Sequence, residues 1–243
     1  MRHLHSGLHY LRLLPALQKV RPVRSYLEIG VNKGKSLCQM NCGSIGIDPH
    51  FVIDRDVRGS KPFLHLLEMT SDDYFRTVRT DLIFPDGIDV AFLDGLHLFE
   101  ALLNDFINVE PLMAADGIVF MHDCLPINAE MTERDRRPGQ RKDIEYKSHW
   151  TGDVWKLVPI LKHYRPDLRL QLLDCEPTGL VAVTGFDAHS RVLSDEREAI
   201  VAKYMPVEMT DASLADFYKE NERTPAAAFL EQVTVEIPSE AIA

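Results

Sequence analysis

Short apolar runs that each end at a carboxylate are the strongest constraint on how this chain can fold. Tyr26–Ile29 contains Glu28 and breaks at Gly30, and Ser44–Ile47 ends at Asp48, twenty positions after Glu28. Phe63–Leu67 leads into Ser71-Asp72, Ile88–Leu93 into Asp94-Gly95, and Ile118–Met121 into His122-Asp123. Segments of helical character separate the runs. Asp72-Asp-Tyr-Phe-Arg-Thr-Val opens on acidic residues, which suit a helix N-terminus. Leu98, Leu102, Phe106, Val109 and Leu112 recur at helical spacing across 98–113, and Lys35–Met40 reads as the start of a further helix. Strands alternating with helices predict a parallel sheet covered on both faces. Ligands of such sheets sit beyond the carboxyl ends of the strands, so Glu28, Asp48, Asp72, Asp94 and Asp123 should face one cleft.

The first turn adds chemistry to that geometry. Gly30 and Gly34 let the backbone approach a ligand closely, and a carboxylate at Asp48 suits the two hydroxyls of a ribose. The middle glycine of the dinucleotide fingerprint is replaced here by Asn32.

Further along, Leu170–Leu173 and Gly179–Thr184 predict an antiparallel hairpin at the sheet edge. The expected fold class is therefore α/β, a doubly wound and mostly parallel seven-stranded sheet with an antiparallel terminal hairpin. Leu4, Leu8, Leu11, Leu14 and Leu17 predict an amphipathic helix over residues 1–22. The α/β domain is expected over 23–186 and a helical extension over 187–243. The best helices of that extension are Ser194–Met205 and Leu214–Tyr218, with a fraying end at Ile237–Ala243. Within the α/β domain, Pro126–His149 is long and charged, with Arg134, Arg136, Arg137, Arg141 and Lys142. It reads as a lid over the cleft or as a solvated excursion. Asp153 suits the cap of a helix beginning near Val154.

With a net charge of −10 over 243 residues, the chain is not expected to bind nucleic acid or an anionic membrane. No apolar stretch approaches a membrane span. Cys38, Cys42, Cys124 and Cys175 form no CxxC pair, which suits reduced thiols in a cytoplasmic protein. His3, His5 and His9 read as a solvated helix face.

Glu28-Ile-Gly-Val-Asn-Lys-Gly-Lys-Ser36, Asp48, Asp94-Gly95 with His97 and Glu100, and Asp116-Gly-Ile-Val-Phe-Met-His-Asp123 together resemble class I S-adenosylmethionine-dependent methyltransferases. The nearest subgroup is the methyltransferase 24 type, similar to small-molecule and sugar O-methyltransferases. The resemblance spans roughly Tyr26 to Gly185 and implies a Rossmann-like methyltransferase fold. It implies that Glu28, Gly30, Asn32, Gly34 and Ser36 form the loop beside the amino-acid part of S-adenosylmethionine. Asp48 would hold the ribose, Ser71 and Asp72 would lie near the adenine, and Asp94 would face the methyl group. Relatives that use a divalent metal such as magnesium or manganese imply Asp94, His122 and Asp123 as ligands. The histidine in that set departs from their acidic or amide pattern.

Methyl transfer to a hydroxyl needs alignment and removal of a proton. Asp94, His97, His122 and His149 are the catalytic candidates, whether as metal ligands or as general bases. The acceptor is expected to be a small polar metabolite or sugar, and the lid arginines suit an anionic one. An exposed N-terminal helix leaves a homodimer open. Two other readings stand beside this one: a nicotinamide-dependent oxidoreductase, and a non-catalytic cofactor-binding or scaffold protein.

Overall fold

The computed structural model describes residues 2–235. Its core is an eight-stranded sheet built from β1 (Ser25–Ile29), β2 (Gly43–Asp48), β3 (Leu64–Glu68), β4 (Ile88–Leu93), β5 (Met113–His122), β6 (Arg169–Asp174), β7 (Leu180–Thr184) and β8 (Arg223–Pro225), in spatial order β3-β2-β1-β4-β5-β7-β6-β8. The β1, β2, β3, β4 and β5 strands pair in parallel, whereas β7 runs antiparallel to both β5 and β6. The predicted doubly wound α/β class with an antiparallel β6–β7 pair is present. The hairpin is not the edge, however, because β8 pairs with β6 and adds a strand to the seven expected.

Alternation along the central strands builds two cores. Leu27 and Ile29 of β1, Val119 and Met121 of β5, and Val181 and Val183 of β7 point to one face. There they meet α2 (Ser71–Thr77), α4 (Phe99–Val109), α5 (Leu157–Tyr164) and α8 (Asp211–Glu220) through Tyr74, Phe106, Leu161 and Phe217. Tyr26, Phe92, Ile118, Phe120 and Ala182 point the other way, against α1 (Tyr10–Val20) and α9 (Ala226–Gln232). Burial on both faces is why the strands read as continuous apolar runs. Short helices α3 (Thr80–Ile83), α6 (Val192–Asp195) and α7 (Arg197–Tyr204) complete the first layer.

Several expectations are corrected. The N-terminal helix starts at Tyr10 rather than spanning 1–22, because tertiary contacts hold the preceding segment extended. The His3 amide donates to Ile127 O, and His5 lies between Asp174 and Leu125 O. His5 is buried and His9 caps α1, so these histidines are not a solvated helix face. The helix expected from Lys35 is one 3-10 turn, Leu37–Gln39, since β2 already begins at Gly43. The Gln18 side chain of α1 supplies what that loop lacks. Its amide donates to Gln39 O and its carbonyl accepts from the Asn41 N–H. Helix α4 ends at Val109, and the Ala115-Asp-Gly117 turn lies inside β5, beside an irregularity in its register with β4. The end at Ile237–Ala243 lies outside the described residues. Among those residues no helix is long and apolar enough to cross a membrane.

Candidate active site

A cleft of about 560 Å³ opens where β1 and β4 lie side by side and their crossovers diverge, the position a ligand takes in a doubly wound sheet. Gly30, Asn32, Asp48, Ser71, Asp72 and Asp94 line it, together with His97, Asp105 and Asp123. Gly30 sits at φ 89°, and a Cβ there would fall 2.0 Å from Asp94 O. Only glycine lets the β1 and β4 ends approach this closely. Asp48 accepts N–H bonds from Asn32 and His50, each 2.7 Å, which fixes its carboxylate while leaving lone pairs toward the cleft.

Glu28, Gly34 and Ser36 lie outside the cleft. Glu28 is fully buried and accepts 2.6 Å hydrogen bonds from the Tyr26 and Ser36 hydroxyls. Burial pushes its carboxyl up to about 8, although both hydroxyls favour the charged form. Gly34 packs under Val57 at φ 74°. These three residues shape the turn from within.

Asp94, His97, His122 and Asp123 converge at the carboxyl ends of β4 and β5. His122 Nδ1 lies 3.1 Å from Asp94 Oδ1 and 3.4 Å from Asp123 Oδ2. His97 Nε2 is 3.6 Å from Asp94, and its Nδ1 donates to Trp150 O at 2.7 Å. The Trp150 ring stacks on His97, with centroids 4.9 Å apart. Asp123 adopts φ 60°, uncommon for a residue with a side chain, and accepts a hydrogen bond from the Thr178 hydroxyl. Burial works against charge on every member. Mutual attraction prevails: Asp94 and Asp123 are held below the usual carboxylate range, His97 is pushed up to about 9, and His122 is held well above the ordinary imidazole value.

A second cavity of about 330 Å³ adjoins the first and shares Asp123 with it. His9, Tyr10, Lys35, His122, His149, Trp150 and Thr178 are among its lining residues. His149 therefore reaches the site from the lid. Tyr10 and Trp150 were missed by sequence reasoning, since an aromatic at a helix start or a loop end carries no local signal of a cleft.

The lid itself is pinned. Arg134 pairs with Glu100 and Asp153, Arg141 with Glu133, and Arg137 with Asp135, which leaves these arginines engaged within the protein. Asp153 caps α4 through the Phe99 N–H at 2.9 Å rather than the helix that follows it. A Cβ on Gly152 would lie 1.8 Å from His97 O, so this glycine lets the returning chain press against the site.

Asp94, His97 and Asp123 each offer a ligand atom within 4.8 Å of one another. His97 donates from Nδ1 to a carbonyl, so its Nε2 would face a cation once it gave up the proton that Asp94 helps hold there. This mixed oxygen and nitrogen set suits manganese or another transition ion better than magnesium.

Residues 27–124 match the family described as "Methyltransferase domain". No curated protein matches the chain. Among solved structures it is similar to the S-adenosylhomocysteine-bound Podospora anserina methyltransferase PaMTH1, at 14% identity over 73% of this chain and 77% of that one, TM-score 0.48. It is also similar to a Staphylococcus aureus protein provisionally named a caffeoyl-CoA O-methyltransferase, at 16% identity over 72% and 83%, TM-score 0.48. Neither likeness reaches a TM-score of 0.5, and the fold assignment rests on strand order and register.

Proposed function

We propose that this chain, whose residues 27–124 match the family described as "Methyltransferase domain", is an S-adenosylmethionine-dependent methyltransferase acting on a hydroxyl of a small polar acceptor. One observation carries the reading: a cleft with a ribose-type carboxylate and a smaller cavity meet at a single residue, Asp123. Bound S-adenosylmethionine supplies an electrophilic methyl group. The first cleft is of a size usual for such ligands, and the close approach at Gly30 and the oriented Asp48 carboxylate fit an adenosyl group.

The residues then divide the work. Asp48 and the Gly30 turn orient the donor, while Asp94 places negative charge where a sulfonium would lie. Tyr10, His149 and Trp150 line the cavity through which the acceptor would approach. The acceptor hydroxyl would meet the cluster of Asp94, His97, His122 and Asp123, whose members lie within 3.1–3.6 Å of their neighbours; because both histidines are held charged, one imidazolium must release its proton before it serves as the base. A divalent cation held by Asp94, His97 and Asp123 would lower the pKa of the acceptor hydroxyl.

Methyl-labelled S-adenosylmethionine incubated with the enzyme and fractionated small polyols, sugars and hydroxylated acids tests this. Label is expected in one small-molecule fraction with the wild type and in none with Asp123→Ala. Equal labelling by both proteins would refute the assignment of the junction.

A further inference from the structure

Arg2 and the lid meet in a knot of contacts that neither the cofactor cleft nor the cluster of Asp94 requires. Arg2 faces Asp143 with two prongs of its guanidinium, Nε at 2.8 Å from Oδ2 and Nη2 at 2.6 Å from Oδ1, and its Nη1 donates to Glu145. A two-pronged bond of this kind fixes direction as well as distance. The Asp143 side chain is 13% exposed, so solvent screens this pair less than it does an open surface pair. The same guanidinium lies over the Tyr146 ring, 5.1 Å from its centroid.

From this knot the contacts run to the smaller cavity. Asp143 accepts from the Asn128 side-chain amide at 2.9 Å and from the Tyr146 N–H at 3.4 Å. The Tyr146 ring packs against the His149 ring, with centroids 5.5 Å apart, and Tyr146 O accepts from the His149 N–H. His149 lines the cavity, and its Nδ1 is buried with no hydrogen-bond partner among the described residues. With no bond through Nδ1 to orient it, this imidazole takes its position from Tyr146. The segment that carries Arg2 is itself fixed to the strand ends. The His3 N–H donates to Ile127 O, and His5 bridges Asp174 and Leu125 O at 3.0 Å each. The far end of that segment reaches the same cavity through His9 and Tyr10.

We propose that Arg2 is a positioning residue for the acceptor. Acting through Asp143 and Tyr146, it holds His149 against the cavity, so that residues 2–10 and 143–149 close on the acceptor from two sides. The inference rests on the proposed function.

Two readouts test it in the wild type, Arg2→Lys and Arg2→Ala. The first is trypsin cleavage after the exposed Lys147, followed by mass spectrometry, which tracks the population in which this arm of the lid is open. Cleavage is expected to quicken by about tenfold in Arg2→Ala, the scale of one charge-assisted contact. Arg2→Lys keeps the charge without the fork and falls between the two. The second is transfer of labelled methyl from S-adenosylmethionine to the small-molecule fraction that the wild type labels. The acceptor KM is expected to rise by about threefold in Arg2→Ala with kcat and S-adenosylhomocysteine affinity unchanged, because an open arm lowers only the fraction competent to hold the acceptor. Cleavage at the wild-type rate in Arg2→Ala would overturn the inference. Faster cleavage with an unchanged acceptor KM would also overturn it, leaving Arg2 a fastener of the lid with no part in acceptor binding. Either result leaves the proposed function standing, since label transfer by the wild type supports that reading independently. No transfer by the wild type to any fraction would remove the proposed function and this role with it.

Discussion

Asp153 joins the lid to the site through one buried carboxylate, and its removal has a size that the structure sets. It is 2% exposed and its partner Lys156 is 1% exposed, with Nζ and Oδ2 2.7 Å apart. Its other oxygen caps α4 at Phe99. Lys156 has no other carboxylate in an ion pair among the described residues. Asp153→Asn keeps an acceptor for the cap but strands the ammonium group, a loss of about 3–5 kcal/mol. Asp153→Ala also removes the cap, which adds about 1 kcal/mol. Against a total stability of about 5–15 kcal/mol, either change is severe. At about 2–4 °C per kcal/mol for a chain of this length, Tm falls by about 10–20 °C in Asp153→Ala. Lys156→Met in the Asp153→Asn background removes the stranded charge at similar volume and restores much of the loss. Urea unfolding with thermal scans measures all four proteins. Asp153→Asn within about 1 kcal/mol of wild type, or no recovery in the double variant, would show that the Asp153–Lys156 pair does not stabilise the fold.

Other perturbations have equally definite outcomes. Gly30→Ala places a Cβ against Asp94 O in a left-handed conformation, and is expected to abolish cofactor binding and lower Tm. Glu28, pushed up to about 8 by burial, contributes stability below its unfolded pKa of about 4 and loses it as pH rises through about 8. Unfolding free energy should therefore fall between about pH 5 and pH 8, and Glu28→Gln should flatten that slope. An unchanged slope would show that Glu28 is ionised in the fold. Manganese is expected to bind more tightly than magnesium, and His97→Ala to weaken manganese by about tenfold or more in a calorimetric titration.

Much of the fold was legible because its signals are local. The β1, β2, β4 and β7 strands are buried on both faces and read as apolar runs bounded by glycine or acidic residues. The carboxylates at their ends marked the cleft before any side chain was placed. What escaped was set by tertiary contacts. Residues 2–9 have helical leucine spacing but are held extended by partners more than a hundred positions away, such as Asp174 for His5. β8 is a short strand that exists through its pairing with β6. Glu28 and Ser36 carry a family signature at the surface of the sequence, yet the fold turns them toward each other. Asp105 was hidden for the opposite reason, since one acidic residue within an amphipathic pattern looks like an interruption.

An adenosyl cofactor is expected to lie across the strand ends with its ribose on Asp48. Calorimetric titration of the purified chain with S-adenosylhomocysteine tests it most directly, first in EDTA and then with manganese, with Asp48→Ala and NADH as controls. Binding in the range of about a micromolar is expected for the wild type, none for a folded Asp48→Ala, and none of NADH. Binding of NADH in place of S-adenosylhomocysteine, or equal binding of S-adenosylhomocysteine to wild type and Asp48→Ala, would contradict it.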